Sequence, residues 1–364
     1  MLTLSLIARL PLAMFSIGLL VHAEHLTGSF AVAGLVTGAY AIALGCGGPV
    51  LGRAVDRRGQ TAVLVSAATA SAALLAAISL LPAGAPPAFL LALAAGLGFA
   101  TPPVGACVRT LLDDPRAFAL EASAVELTWV FGPPLALAGG ALVSTGAALA
   151  GAGAILLAGT LAFAAHPGSR AWRPTGVERP RGGALRTGPM RTLVLVLGCV
   201  GAVFGSVEIG VAAAADEAVA GALLGVWGAG SLAGGLWLAR RGGAAKLGPL
   251  LAALAAGHGA LVLVTGNVWL LAAGLALAGA AIAPTYATVY ALVERAAPAG
   301  TVTEAFAWLA TAVAVGAASG SAVAGALAEA SGPTAAFLLA GAAAACALLA
   351  TAARPAVHVS LTTA

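Results

Sequence analysis

GPVLGRAVDRRGQT, residues 48–61, places four charged side chains, Arg53, Asp56, Arg57 and Arg58, within six positions. Only 8% of the 364 residues are charged and 61% are hydrophobic, whereas a soluble domain carries roughly 25% charge. So few charges cannot coat a water-facing surface. The stretch therefore reads as a short aqueous turn between segments that lie in lipid.

Apolar runs long enough to cross a bilayer core, about 20 residues each as helices, lie on both sides of it. Twelve are predicted: 3–24, 29–52, 61–81, 87–112, 117–142, 146–165, 191–212, 219–239, 247–266, 268–293, 303–328 and 332–353. The expected class is an all-α membrane protein of twelve transmembrane helices. Lys and Arg collect in cytoplasmic loops, and 16 of the 17 here fall after even-numbered spans. Arg53, Arg57 and Arg58 follow span two; Arg109 and Arg116 follow span four. Six arginines from Arg170 to Arg191 follow span six, and Arg240, Arg241 and Lys246 follow span eight. Arg295 follows span ten and Arg354 follows span twelve. Arg9 is the exception, inside span one. This alternation predicts a multi-pass protein of the cell (inner or plasma) membrane with both termini cytoplasmic. The net charge of +4 then reports topology and gives no support to nucleic-acid binding. "VHA", 21–23, resembles a signal cleavage site. Span one lacks a basic leader, however, and is expected to be retained.

A slide of 187 residues aligns "AGLVTGAYAIALGCGGPVLGR" (33–53) with "AGALLGVWGAGSLAGGLWLAR" (220–240) without a gap. Gly47/Gly234, Gly48/Gly235 and Arg53/Arg240 are identical, and Tyr40/Trp227 is an aromatic pair. Two pseudo-symmetric six-helix halves are expected, 1–165 and 191–364. Residues 166–190, which include "GVERPRGG", form a cytoplasmic linker expected to be poorly ordered. Parallel repeats of this kind suit a transporter whose halves rock about a midplane site.

On the turn after span two, "GRAVDRRGQ" resembles the signature loop of the major facilitator superfamily. Gly52, Asp56, Arg57 and Gly59 match that pattern, while Gln60 and Thr61 replace its usual basic pair. The second half keeps only "LARRGG", 238–243. The resemblance implies the superfamily's twelve-helix fold and alternating access. It also implies a conformational latch built from Gly52, Arg53, Asp56, Arg57 and Gly59, with Asp56 at the start of span eleven. An acid there can accept from the free N–H groups of a helix start. Arg53 or Arg57 is expected to pair with Asp113 or Asp114.

Span five, "ELTWVFGPPLALAGGAL" (126–142), partly resembles the Gly-Pro signature of proton-antiporting exporters. Gly132, Pro133 and Pro134 form a candidate hinge, and Pro284 is a second one in span ten, because proline removes a backbone donor. The basic residue those exporters carry on span four is missing, since the position near Ala92 is apolar. Proton coupling must then use other groups.

Ionisable groups inside a membrane are costly and usually functional. Glu126 lies about nine residues into span five, roughly 13 Å deep, and Arg9 lies at similar depth. They form a candidate ion pair or coupling site, with Glu208 of span seven as a further candidate. Glu121 is expected to snorkel at the helix end, and Glu304 to cap span eleven. Tyr40, Trp129, Trp227, Tyr286, Tyr290 and Trp308 are candidates for a mostly apolar pocket. A sugar site would need more amides than Asn267 and Gln60, the chain's only Asn and Gln.

The four cysteines stand alone without metal or redox spacing, and Lys246, the only Lys, lies in no Walker-type loop. No enzymatic activity, cofactor or metal is expected. The leading expectation is a monomeric secondary transporter in the lipid bilayer. It exports a small lipophilic or amphipathic molecule, with the proton as coupling ion. A facilitator or importer of a small metabolite, and a non-transporting membrane sensor, are the alternatives.

Overall fold

Lipid offers no partner to backbone N–H and C=O groups, so an apolar chain must satisfy them within helices. The computed structural model describes residues 1–174, 182–243 and 245–353. The remainder, which holds Arg179, Arg181, part of the expected linker (175–181) and Arg354, lies outside the described residues. The described part of that linker, expected to be poorly ordered, holds a short helix, Pro167–Ala171, and a 3-10 turn, Gly183–Arg186. The described chain is helical with no strand. The helices are α1 (Leu2–Thr27), α2 (Phe30–Arg58), α3 (Gln60–Ser79), α4 (Pro87–Ala100, resuming as Val104–Arg109), α5 (Pro115–Leu142) and α6 (Thr145–Ala165). They continue as α7 (Gly188–Ala214), α8 (Glu217–Arg240), α9 (Leu247–Ala260), α10 (Val268–Gly279, resuming as Ile282–Ala296), α11 (Val302–Ser331) and α12 (Pro333–Ala352).

Eleven of the described spans are long and apolar enough to cross a membrane. The ninth, Leu247–Leu263 with its closing 3-10 turn, is a shorter apolar helix. Short polar side chains start several helices by accepting free N–H groups. Ser29 accepts from Val32, Ser144 from Ala147 and Asp216 from Val219; Asn267 accepts from Trp269 and Leu270. Leu142, Leu263 and Trp269 are 83%, 85% and 81% exposed, an arrangement suited to lipid and unfavourable in water.

Two compact units emerge. The first contains Met1–Leu111, Leu127–Arg179 and Ala299–Ala307; the second contains Leu112–Glu126, Pro180–Pro298 and Trp308–Ala364. The opening turns of α5 thus belong to the second unit, and those of α11 to the first.

The same pairings recur in each. In the first unit α6 packs on α1 and α3, and α2 packs on α4; in the second α12 packs on α7 and α9, and α8 packs on α10. Small residues at the crossings let backbones touch. A Cβ on Gly98 would collide with the Tyr40 carbonyl, and one on Gly47 with the Phe99 carbonyl. In the second unit Gly279 meets the Trp227 carbonyl and Gly234 the Ala280 carbonyl in the same way. The pairs Tyr40/Trp227 and Gly47/Gly234, aligned by the sequence repeat, therefore occupy equivalent positions in the packing. Helices α7 and α11 meet through two G-x-x-x-G runs, Gly201–Gly205 and Gly316–Gly320, with Gly316 against the Gly198 carbonyl and Gly205 against that of Ala317.

Both α4 and α10 break at matching places, Thr101–Pro103 and Ala280–Ala281. Pro284 sits in the first turn after its break, where a missing N–H costs nothing. Helix α5, in contrast, runs unbroken through Gly132 and Pro134. A Cβ on Gly132 would lie 2.6 Å from that of Ala13, so this glycine brings α5 close to α1. The side chain of Pro133 lies outside the described residues.

Candidate functional site

Arg53, Asp56, Arg57 and Arg58, expected on an interhelical turn, lie instead in the closing turns of α2, which runs to Arg58, and the turn itself is a single glycine. Gly59 adopts φ +90° and donates its N–H to Val55 O at 2.8 Å, so one residue reverses the chain between α2 and α3. Side chains with a Cβ rarely adopt this backbone conformation. A Cβ on Gly52 would lie 3.0 Å from Glu304 Cα and from Thr303 O. That glycine admits the start of α11 against α2.

There the Asp56 carboxylate, 6% exposed, accepts from two successive amides. Oδ1 takes the Thr303 N–H at 3.1 Å, and Oδ2 the Glu304 N–H at 2.9 Å. These are first-turn donors with no partner inside the helix, and the charge faces the positive end of the helix dipole. Arg53 Nη2 reaches Glu304 Oε1 at 2.7 Å. This replaces the expected pairing of Arg53 with Asp113 or Asp114. Glu304 is 1% exposed, so its carboxylate serves the Arg53 pair while its backbone serves Asp56. Arg57 and Arg58 are exposed. Gln60, which departs from the superfamily pattern, is 1% exposed. Its amide donates to Cys107 O and Thr110 Oγ1 and accepts from Ser169 Oγ, in a position where a lysine or arginine charge would be buried.

Replacing Arg53 with Gln would remove one partner of the buried Glu304 carboxylate. Arg53 itself is 45% exposed, and water screening reduces the pair to about 1 kcal/mol. The expected result is a fall of a few degrees in melting temperature, measured on detergent-solubilised protein. An unchanged melting temperature would show that the pair adds nothing.

Arg109, expected in a loop, instead ends the second segment of α4. It is 7% exposed, with its guanidinium 6.0 Å from the Phe306 ring centroid. Glu121, expected to snorkel, is fully buried. Arg9 is 8% exposed and turns back on its own helix, donating from Nε to Ser5 O at 3.2 Å and from Nη2 to Ser5 Oγ at 3.3 Å. Glu126 falls in the second unit and Arg9 in the first. The Glu126 carboxylate accepts from Ser231 Oγ at 2.8 Å. This bond sits beside a tight crossing, because a Cβ on Gly235 would overlap Ser123 Oγ. Ser123 and Glu126 lie one turn apart on α5, as do Gly235 and Ser231 on α8. Glu208 is exposed on α7.

Three of the six expected pocket aromatics come together in the second unit. Tyr286 and Tyr290 have ring centroids 5.7 Å apart; Tyr286 meets Phe204 edge-on at 6.3 Å, and Phe204 meets Trp227 at 4.9 Å. Phe204 and Tyr286 are half-buried, while Trp227 and Tyr290 are buried behind them. Tyr40 is buried in the first unit, edge-on to Phe15 at 6.1 Å. Trp129 is 57% exposed, and Trp308 is half-buried. Sequence reasoning missed Phe204, Ser231 and His258. A cavity of ≈ 290 Å³ in the first unit, between Ile17, Gly18, Ala136, Gly140, Thr145 and Ala148, contains none of the expected pocket residues.

Repeated helix pairings, paired breaks in α4 and α10 and the α2–α3 turn together define a polytopic membrane protein with the major facilitator superfamily fold. Solved structures agree along nearly the whole chain. A bacterial homologue of the iron transporter ferroportin, in its outward-facing state, matches with TM-score 0.76 and 16% identity over 97% of each chain. The human organic anion transporter MFSD10 (TETRAN) matches with TM-score 0.77 and 17% identity, over 96% of this chain and 98% of that one. The proton:xylose symporter XylE matches with TM-score 0.72 and 11% identity, over 97% and 94%. No protein-family profile and no curated relative matches the sequence. These three proteins are an iron-transporter homologue, an organic anion transporter and a xylose symporter, so the shared fold leaves the cargo open.

Proposed function

We propose that this protein is a secondary transporter working by alternating access, exporting a small lipophilic or amphipathic molecule in exchange for protons. The observation that carries the reading is the Asp56 carboxylate on the first amides of α11. It ties the end of α2, in the first sequence half, to the start of a helix of the second through hydrogen bonds that can open and close. We take residues 1–165 and 191–364 as the moving halves and 166–190 as their linker. Both termini lie in the cytoplasm of a cell whose plasma membrane holds the protein, and a monomer suffices.

The substrate meets the half-buried faces of Phe204 and Tyr286, whose aromatic row supplies apolar area with few polar demands. Interrupted helices at matching positions of two repeats mark binding sites in many transporters, and α4 and α10 supply such a pair. Glu126 is the coupling group: a carboxyl held by one serine hydroxyl within a membrane span can change protonation and partner together.

Dye accumulation in cells lacking their own efflux pumps tests this reading. Wild type should lower accumulation of lipophilic dyes, and a protonophore should abolish the effect. Glu126→Gln should lose energised export while retaining downhill exchange. Protonophore-insensitive, purely downhill flux in wild type would instead identify a facilitator, and no flux for any dye would remove the exporter reading.

A further inference from the structure

His258 lies in the last turn of α9, an otherwise apolar helix, and is fully buried; the reading above gives it no role. Its two nitrogens are both engaged, and the partners fix the tautomer. Nδ1 is 2.9 Å from Leu254 O, a carbonyl that can only accept, so Nδ1 carries the hydrogen. Nε2 is 3.2 Å from the Trp227 indole Nε1, a group that can only donate, so Nε2 is the bare acceptor. The imidazole is therefore neutral, and it links one backbone carbonyl to one indole N–H. The two rings meet nearly edge-on, at 81° and 6.0 Å.

The indole is where this link acquires a consequence. Trp227 lies 4.9 Å from Phe204, and Phe204 lies edge-on to Tyr286. The Trp227 carbonyl is already seated against Gly279. The backbone is thus fixed by packing, while the direction of the ring is fixed by His258. Phe204 and Tyr286 expose part of their surfaces; Trp227 and His258 stand behind them. From this geometry we propose that His258 is a positioning residue. By accepting from the Trp227 N–H it holds the indole in one orientation and so sets the shape of the aromatic row Phe204–Tyr286. Its effect on transport rests on the reading of that row as the substrate site.

The test uses full-length protein in lipid nanodiscs with ¹⁵N-labelled tryptophan, the Trp227 indole signal being assigned from Trp227→Phe. In His258→Leu the indole loses its acceptor, and its resonance should move out of the hydrogen-bonded range. In His258→Gln the side-chain oxygen can accept in place of Nε2, and the signal should stay within that range. For an exported dye, His258→Leu should raise KM roughly tenfold, the scale of one buried donor left without a partner. Maximal rate should stay within about twofold, and His258→Gln should recover most of the affinity. An indole signal unmoved in His258→Leu would overturn the proposal. So would a moved signal with unchanged KM. If wild type exports no dye, the exporter reading falls, while the resonance comparison still decides whether His258 fixes the ring.

Discussion

Gly316→Ala should lower the melting temperature of the purified protein by on the order of 5–10 °C and reduce its folded yield. The added methyl falls inside van der Waals contact with the Gly198 carbonyl, and its next neighbours are also backbone atoms. Backbone cannot rotate away as a side chain can, so α7 and α11 would have to separate. Separation would also loosen Gly201 against Val313 O and Gly320 against Ala202 O, contacts on the same seam. Overpacking of this kind costs about 3 kcal/mol. The control is Gly325→Ala on the same helix, where an added Cβ meets nothing within 4 Å. That change should be neutral or stabilising by up to about 1 kcal/mol through helix propensity. Equal melting temperatures for the two variants would show that the seam is not tightly packed in the membrane protein.

Asp56→Ala should slow transport at least tenfold and speed amide exchange at Thr303 and Glu304. Two charge-assisted hydrogen bonds, each worth about 1.5–3 kcal/mol, are partly replaced by water when the carboxylate is removed. A net loss of about 2 kcal/mol shifts a two-state equilibrium by roughly thirtyfold. Asp56→Asn should be nearly as severe, since one of its two groups is itself a donor facing an N–H. Asp56→Glu retains the charge and should recover part of the rate. Hydrogen exchange of a peptide covering 299–308 reads the bonds directly. Unchanged exchange there in Asp56→Ala would show that the carboxylate does not hold this helix start. Changed exchange with unimpaired transport would separate the contact from the transport cycle.

Much of this architecture was legible in the residues. Hydropathy and the alternation of arginine-bearing turns marked the spans, because lipid punishes exposed charge and broken backbone so heavily. The shared spacing of Gly47/Gly234 and Tyr40/Trp227 carried the repeated helix crossing, since only glycine admits a carbonyl so closely. What stayed hidden were the partners made by three-dimensional approach. Nothing in the local sequence distinguishes Glu304 from Asp113 as the partner of Arg53; the choice depends on where α11 begins. Glu121 was read from its distance to the helix end, yet its burial depends on neighbours far away in sequence. In the sequence His258 is one polar residue in an apolar run. Its role emerges only when α8 brings Trp227 beside it. A long-spaced pair of this kind leaves no periodic trace, although the rarity of a histidine within a membrane span was a signal that could have been followed.

The seats of Tyr40 and Trp227 have a consequence for how such a protein can diversify. In each unit the neighbouring helix leans on the main-chain oxygen of that residue, through Gly98 in one and Gly279 in the other. The ring is not part of the seat. Each ring instead meets a phenylalanine of the first helix in its own half, Phe15 for Tyr40 and Phe204 for Trp227. Two copies of one scaffold can therefore drift apart in their aromatic furniture while the frame stays in register. Of the two aligned positions, Trp227 alone carries an indole, and it donates to a histidine. Architecture is inherited here by the main chain, and individuality is written in side chains that the main chain leaves free.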